Sequence, residues 1–399
     1  MTTTLARPGT RAEVWSDATL EGFRSAGDPL ADELAGELHA RGGWSALDAT
    51  FASVTRNSTH VRDDAPADVR AYLIESARMP RWADAAVLEH AQALFARLGP
   101  WIMLALHCAS LPYSYGAAKG VKVIYLTGKL QRERWKRLLT TAQFVVDVLS
   151  PGGFTPGGFA IRSAQKVRLV HAAVRMRLRH APRWDHAWGT PINQEDLAGT
   201  VLCFSHVVLE ALHAMGVSVT PDDADAYVHA WDVVGALLGL DPDLRAGTAE
   251  GAGRLARRIE RRQLRPTVEG HDLVRSLVDY LERLIGMPGV PGVPASLIHR
   301  LLGERVARDL GIDPPWQDGS IRGAVASELV GRSMRVGARL TQRAFERSPL
   351  VARAPEVLGR RLLASLCRPA HGADRAPLRV DDGLRRGWGA GDRVLATSR

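Results

Sequence analysis

Cysteine is scarce in this chain and nowhere paired. Cys108, Cys203 and Cys367 are the three in 399 residues, they stand far apart, and no CxxC occurs. That excludes a disulfide framework and argues against a zinc–cysteine site. Cys108 and Cys203 sit in apolar stretches, where a free thiol acts as a small hydrophobe, as expected in a reducing compartment. Lysine is scarcer for its class: Lys119, Lys122, Lys129, Lys136 and Lys166 are the whole set, and the rest of the 52 basic residues are arginine. The net charge of +9 is spread from Arg7 to Arg399, so there is no basic stripe for nucleic acid. No uninterrupted apolar run reaches the ~18 residues of a membrane span. The start, MTTTLARPGTRAEVWSD, has no apolar core of a signal peptide. A soluble, cytoplasmic protein is expected. Strand-like alternation is nearly absent, the one short candidate being Val121–Leu126.

What is present is helix after helix. Apolar content of 46% and charged content of 24% are those of a globular chain. Residues 1–27 read as a loosely held lead-in, 28–367 as one large helical domain, and 368–399 as an irregular basic tail. Helical periodicity predicts segments over 85–98 and 100–111, broken at Gly99–Pro100, and over 130–149. The glycine-rich stretch PGGFTPGGF (151–159) lacks a preceding strand and a Gly-Lys-Thr ending, so it reads as a connector rather than a phosphate loop. A helix over 161–179 follows. Asn193 and Asp196 form an N-cap pair for the next helix, to about Met215. Thr220-Pro221-Asp222-Asp223 starts another, which ends at Gly239. Helices near 250–264, 268–286, 295–311, 321–347 and 355–367 complete the reading.

The segment richest in chemistry is Lys166–Leu178. On a helical wheel of about 100° per residue, Val167, Val170, Val174 and Leu178 share an arc of roughly 80°. His171 lies just past one edge, and Arg175 and Arg168 lie further round. The order across the surface is apolar, histidine, arginine, arginine. Such a surface suits a flat apolar macrocycle with anionic edges: aliphatics against the ring, imidazole on the iron, arginines on the propionates or fixing the site. An ordinary helix with a boundary histidine and solvated arginines has the same pattern.

The stretch Arg168-x-x-His171-x-x-x-Arg175 resembles the signature of the latex-clearing-protein family, also called the rubber-oxygenase or mycophenolic-acid-B type oxygenases. Arg137-x-x-x-Thr141, PINQEDLAGT (191–200), WDVVGALLGLDP (231–242) and RRQLRPTVEG (261–270) resemble further family stretches, in the right order. The resemblance implies an all-α fold with a globin-like core around one b-type heme. His171 would be the proximal ligand, Arg168 and Arg175 the motif arginines, and Val167 and Val174 part of the cofactor wall. Arg137, Thr140 and Thr141 would be distal residues that hydrogen-bond dioxygen or substrate. Rubber-cleaving members carry a lysine where this chain has Thr140, so the iron is expected to be five-coordinate or water-ligated. The distal glutamate of those members has no match in 119–130, so the rubber route itself is not implied. The expected partners are a small hydrophobic unsaturated or aromatic substrate and dioxygen, in a monomer or homodimer. A heme enzyme of another reaction type, a non-catalytic heme protein and a helical scaffold are the competing readings.

Other candidates have plainer explanations. His107 and His206 read as core or helix-face histidines. His180 and His186 stand beside Trp184 and Trp188 at a pocket edge or in packing. The basic run Arg254–Arg265 reads as a solvated helix face.

Overall fold

The computed structural model describes residues 15–40, 55–61, 63–127, 134–285, 292–313, 328 and 331–340, with only the backbone of 134–139 and 284–285. Among these residues there are helices and no strand, apart from one isolated antiparallel bridge between Ala117 and Leu264. The helices run in chain order as α1 (Asp17–Phe23), α2 (Pro29–Ala40), α3 (Ala67–Glu75), α4 (Ala85–Ala105), α5 (Leu111–Tyr115), α6 (Val121–Leu126) and α7 (Arg134–Leu149). They continue as α8 (Ala160–Arg179), α9 (Gln194–Phe204), α10 (His206–Ala214), α11 (Pro221–Leu237), α12 (Ala249–Gln263), α13 (Val268–Ile285) and α14 (Val293–Asp309). Residues 331–340 are also helical.

The predicted caps are present. Asn193 accepts from the Asp196 N–H, and Thr220 and Asp223 form a reciprocal capping box with Pro221 in the first turn. Four expectations need correction. Val121–Leu126 is a helix, not a strand; its β-branched residues pack inward with Val121 and Val123 buried, and β-propensity yields when no partner strand is at hand. Pro100 lies inside α4 without ending it. The residues around it, Leu98, Ile102 and Met103, are buried, and this packing offsets the lost backbone bond. A π-helical turn over Leu106–Ser110 then leads into α5. The helix expected to run from 194 to about Met215 is two, separated at Ser205. Residues 15–27 are not loosely held: they include α1, Trp15 is buried, and its indole Nε1 donates to the Asp243 carbonyl at 2.8 Å. The helix expected at 355–367, the tail 368–399 and Cys367 lie outside the described residues.

Two continuous stretches, Ala85–Tyr115 and Gln194–Ala214, are long and apolar enough to cross a membrane; 61% and 56% of their apolar windows are buried inside the protein. Interrupted runs hid them from the search for uninterrupted ones. Both supply the larger of two apolar clusters, which also takes apolar residues of α11 and of the C-terminal part of α7. A second cluster gathers α2, α3, Val123 and the C-terminal half of α8. Helix α8 belongs to both: Ala160, Ile161 and Ala164 to the first, Leu169, Ala172, Ala173, Val174 and Leu178 to the second.

Candidate functional site around His171

The site is built on the α7–α8 hairpin. The connector 151–159 turns the chain tightly. Gly153 and Gly158 are needed there, because a Cβ on either would fall within 2.6 Å of a backbone carbonyl oxygen. The Asn57 side chain donates to the carbonyls of Gly153 and Thr155 and accepts from the N–H of Ile161. The hairpin is clipped where Ser163 of α8 donates to the carboxylate of Asp147 on α7, which Gln143 also reaches at 2.7 Å. Thr140 lies seven residues before Asp147 and His171 eight after Ser163, about two turns along each helix. By residue count the two therefore stand at similar heights on the hairpin.

The burial of α8 differs from the wheel in an informative way. Its deepest face is the one carrying Gln165, Leu169, Ala172 and Ala173, each no more than 1% exposed. Val167, Val170 and His171 are half-buried. Val167 packs against the larger cluster and Val170 against the smaller. His171 therefore stands at the seam of the two clusters, beside an apolar strip that the fold leaves partly open. Val174 and Leu178 are buried in the second cluster, so Val174 serves packing rather than an open wall. Thr140 and Thr141 are half-buried on α7. The Arg137 side chain lies outside the described residues.

The arginine side is closed by carboxylates. Arg168 grips Asp28 with a two-pronged ion pair, Nε to Oδ2 at 2.6 Å and Nη2 to Oδ1 at 2.7 Å. Arg175 donates from Nε to Asp32 at 2.6 Å and from Nη1 to the Ile192 carbonyl at 3.2 Å, and its Nη2 stands 3.9 Å from Asp28. Burial acts to lower the Arg168 pKa, but the hydrogen bond and charge of Asp28 overcome it and hold the guanidinium firmly protonated. The partners of these arginines are the carboxylates of Asp28 and Asp32 and the Ile192 carbonyl. Ile192 is, among the described residues, the one non-glycine with positive φ, at 50°, a conformation uncommon for a β-branched residue.

Asp28 and Asp32 were missed from sequence. Their signal is local, an Asp-Pro helix start with a second acid four residues on, but their partners lie some 140 positions away. The PINQEDLAGT stretch holds a second network. Arg24, 2% exposed, donates to Glu195 at 3.1 Å, Asp196 at 3.0 Å and the Trp188 carbonyl. Arg262 and Gln263 of α12 also bind Glu195, at 2.7 and 2.9 Å. The basic run is therefore not simply a solvated face. Arg262 serves Glu195 and Glu21, Arg258 pairs with Asp17, and Arg254 with Glu250.

The other candidate histidines have surroundings of their own. His107 sits on the π-helical turn with Nδ1 hydrogen-bonded to the Met103 carbonyl at 2.7 Å, and burial lowers its pKa. Burial lowers that of His206 too, against the opposing charge of Glu210. His180 and His186 are exposed, near the edge-to-face pair Trp184 and Trp188. No group of three His, Cys, Asp or Glu side chains among the described residues is placed to hold a metal ion. A lone imidazole such as His171 suits only a metal group that brings most of its own ligands.

Comparison with known proteins identifies the family. The chain is 28% identical over 260 residues to "Rubber oxygenase" of Streptomyces sp. (strain K30), and it spans 64% of that relative's length and 64% of its own. Its fold is similar to a solved structure of latex clearing protein LCP in the closed state, with a TM-score of 0.69 at 24% identity, over 88% of this chain and 95% of that one. Residues 113–336 match the family described as ER-bound oxygenase mpaB/B'/Rubber oxygenase, catalytic domain; that is more than half of the chain, which therefore belongs to this oxygenase family.

Proposed function

We propose that this protein is a b-type heme oxygenase that uses dioxygen on a small hydrophobic unsaturated or aromatic substrate, with oxidative cleavage of a carbon–carbon double bond as the reaction type. The observation that carries the reading is the half-buried His171 beside a partly open valine strip. One imidazole with apolar neighbours suits a macrocycle, whereas a bare ion needs several protein ligands. When bound, the heme supplies the oxygen chemistry; the protein supplies orientation, electrostatics and exclusion of water.

His171 would hold the heme iron through a ring nitrogen, on a helix that is buried on its opposite face. Val167 and Val170 give an apolar wall that favours a flat hydrophobic partner. Across the hairpin, Thr140 and Thr141 present hydroxyls, each able to donate one hydrogen bond to a polar atom of dioxygen or substrate. Arg168 and Arg175 keep the helix in register through Asp28 and Asp32.

Hemin-loaded protein given a short isoprenoid or a phenyl-substituted alkene under ¹⁸O₂ tests the reading. Dioxygen uptake with label in carbonyl products is the expected result. Uptake that ends only in peroxide, with no labelled product from any probe, rejects it.

A further inference from the structure

Three separate sequence stretches meet at one buried carboxylate. Asp28 is 3% exposed and directly precedes α2. Arg168 of the His171 motif grips it with both prongs. Gly239, from the WDVVGALLGLDP stretch, lies against it with φ of 85°, and a Cβ there would come within 2.6 Å of the Asp28 carboxylate and 2.8 Å of the Arg168 Nε. Gln194, from PINQEDLAGT, is 5% exposed and spends its whole side-chain amide on this corner. Its Nε2 donates to the carbonyls of Gly27 at 2.7 Å and Gly239 at 3.0 Å, and its Oε1 accepts from the Asp241 N–H at 2.8 Å. Gln194 thus ties together the two backbone segments that enclose Asp28.

We propose that Asp28 is a positioning residue for His171, held in place by Gln194 and Gly239, and that it sets the rotation and height of α8. Arg168 and Arg175 stand three residues before and four after His171, neighbours of the imidazole on the helix surface. Anchoring both to Asp28 and Asp32 fixes the helix about its axis on either side of the ligand. Groups bonded directly to a metal-binding imidazole are worth about 10–100-fold in affinity; Asp28 acts one step further out, through Arg168 and the helix backbone, so its effect belongs at the lower end of that range. An amide at position 28 keeps the shape but removes the charge, and leaves the half-buried Arg168 and the buried Arg175 with one carboxylate, Asp32, between them.

The inference rests on the heme reading above, and the test separates the two. Wild type, Asp28→Asn, Asp28→Glu and Gly239→Ala are titrated with hemin, and folding of each hemin-free protein is followed by circular dichroism. Resonance Raman of the ferrous hemin-loaded forms reports the iron–imidazole stretch, which a merely structural residue would leave unmoved. We expect D28N and G239A to bind hemin about 10-fold more weakly, the lower end for groups that orient a metal-binding histidine, and with a shifted stretch, and D28E to recover part of both. If D28N fails to fold, G239A, which keeps every charge, carries the same prediction. Wild-type affinity and an unmoved stretch in a folded D28N or G239A overturn the role of Asp28 alone. A wild-type protein with no hemin band overturns the heme reading instead.

Discussion

An imidazole between two apolar clusters meets a different environment from one on a charged surface: fewer waters compete for its lone pair, and its neighbours cannot replace it as a ligand. His171 has this environment, and the residue opposite it on the hairpin decides what else reaches the same space. Thr140 is short and neutral, where the rubber-cleaving relatives are expected to carry a lysine amine. Ferrous hemin-loaded protein should therefore be high-spin, and Thr140→Lys should convert it to a six-coordinate low-spin form, read by absorption and Raman spectra. A wild-type ferrous protein already low-spin contradicts the open site. The two described thiols are inert by the same logic of burial. Desolvation pushes both Cys108 and Cys203 up to about 12, so neither should form thiolate near neutral pH. Alkylation followed by peptide mass spectrometry should find both unmodified until denaturant is added; rapid native labelling at either would show the packing to be wrong.

At the scale of helices, the strongest local signals were legible in the sequence because the chemistry that starts a helix is contained in four residues. Thr220, Pro221 and Asp223 were read correctly for that reason, as was Asn193. Asp223 also has a long-range task that the cap hid. Burial acts to raise its pKa, but hydrogen bonds from His90 and Thr220 and the charge of Arg97 outweigh this and hold it below the ordinary value of 3.8. A carboxylate depressed in the folded state stabilises fully above its unfolded pKa, and loses that contribution as pH falls through the folded one. The stability gap between wild type and Asp223→Asn should thus be full at pH 7 and shrink below about pH 4, in urea melts at the two pH values. A gap that widens on acidification refutes the assignment. The misread elements share a cause. Val121–Leu126 looked extended and Pro100 looked like a break because local preference was taken without the packing that overrides it. Asp28 was illegible for a further reason: its meaning depends on Arg168, which no local pattern connects to it.

At the scale of the molecule, buried charge holds the N-terminal segment to the rest. Arg24 joins α1 to α9 through Glu195 and Asp196, and Arg262 brings α12 to the same carboxylate. Removing one partner of a buried ion pair strands the other, at a cost of about 3–5 kcal/mol. Arg24→Ala should lower unfolding stability by that order in denaturant melts, although it touches neither α7 nor α8. A loss below about 1 kcal/mol, the range of an exposed pair, would show the network to be solvated. This network and the Asp28 corner frame the His171 hairpin from two sides, and Gln194 and Glu195, adjacent in sequence, serve one each. The central claim is that this framework exists to present His171 to a heme. The most direct test is the absorption spectrum of purified protein titrated with hemin, for wild type and His171→Ala side by side. A stoichiometric Soret band in wild type that is lost in H171A, with circular dichroism unchanged, is the predicted result. No band in wild type, or full heme content with an unchanged spectrum in H171A, would contradict it.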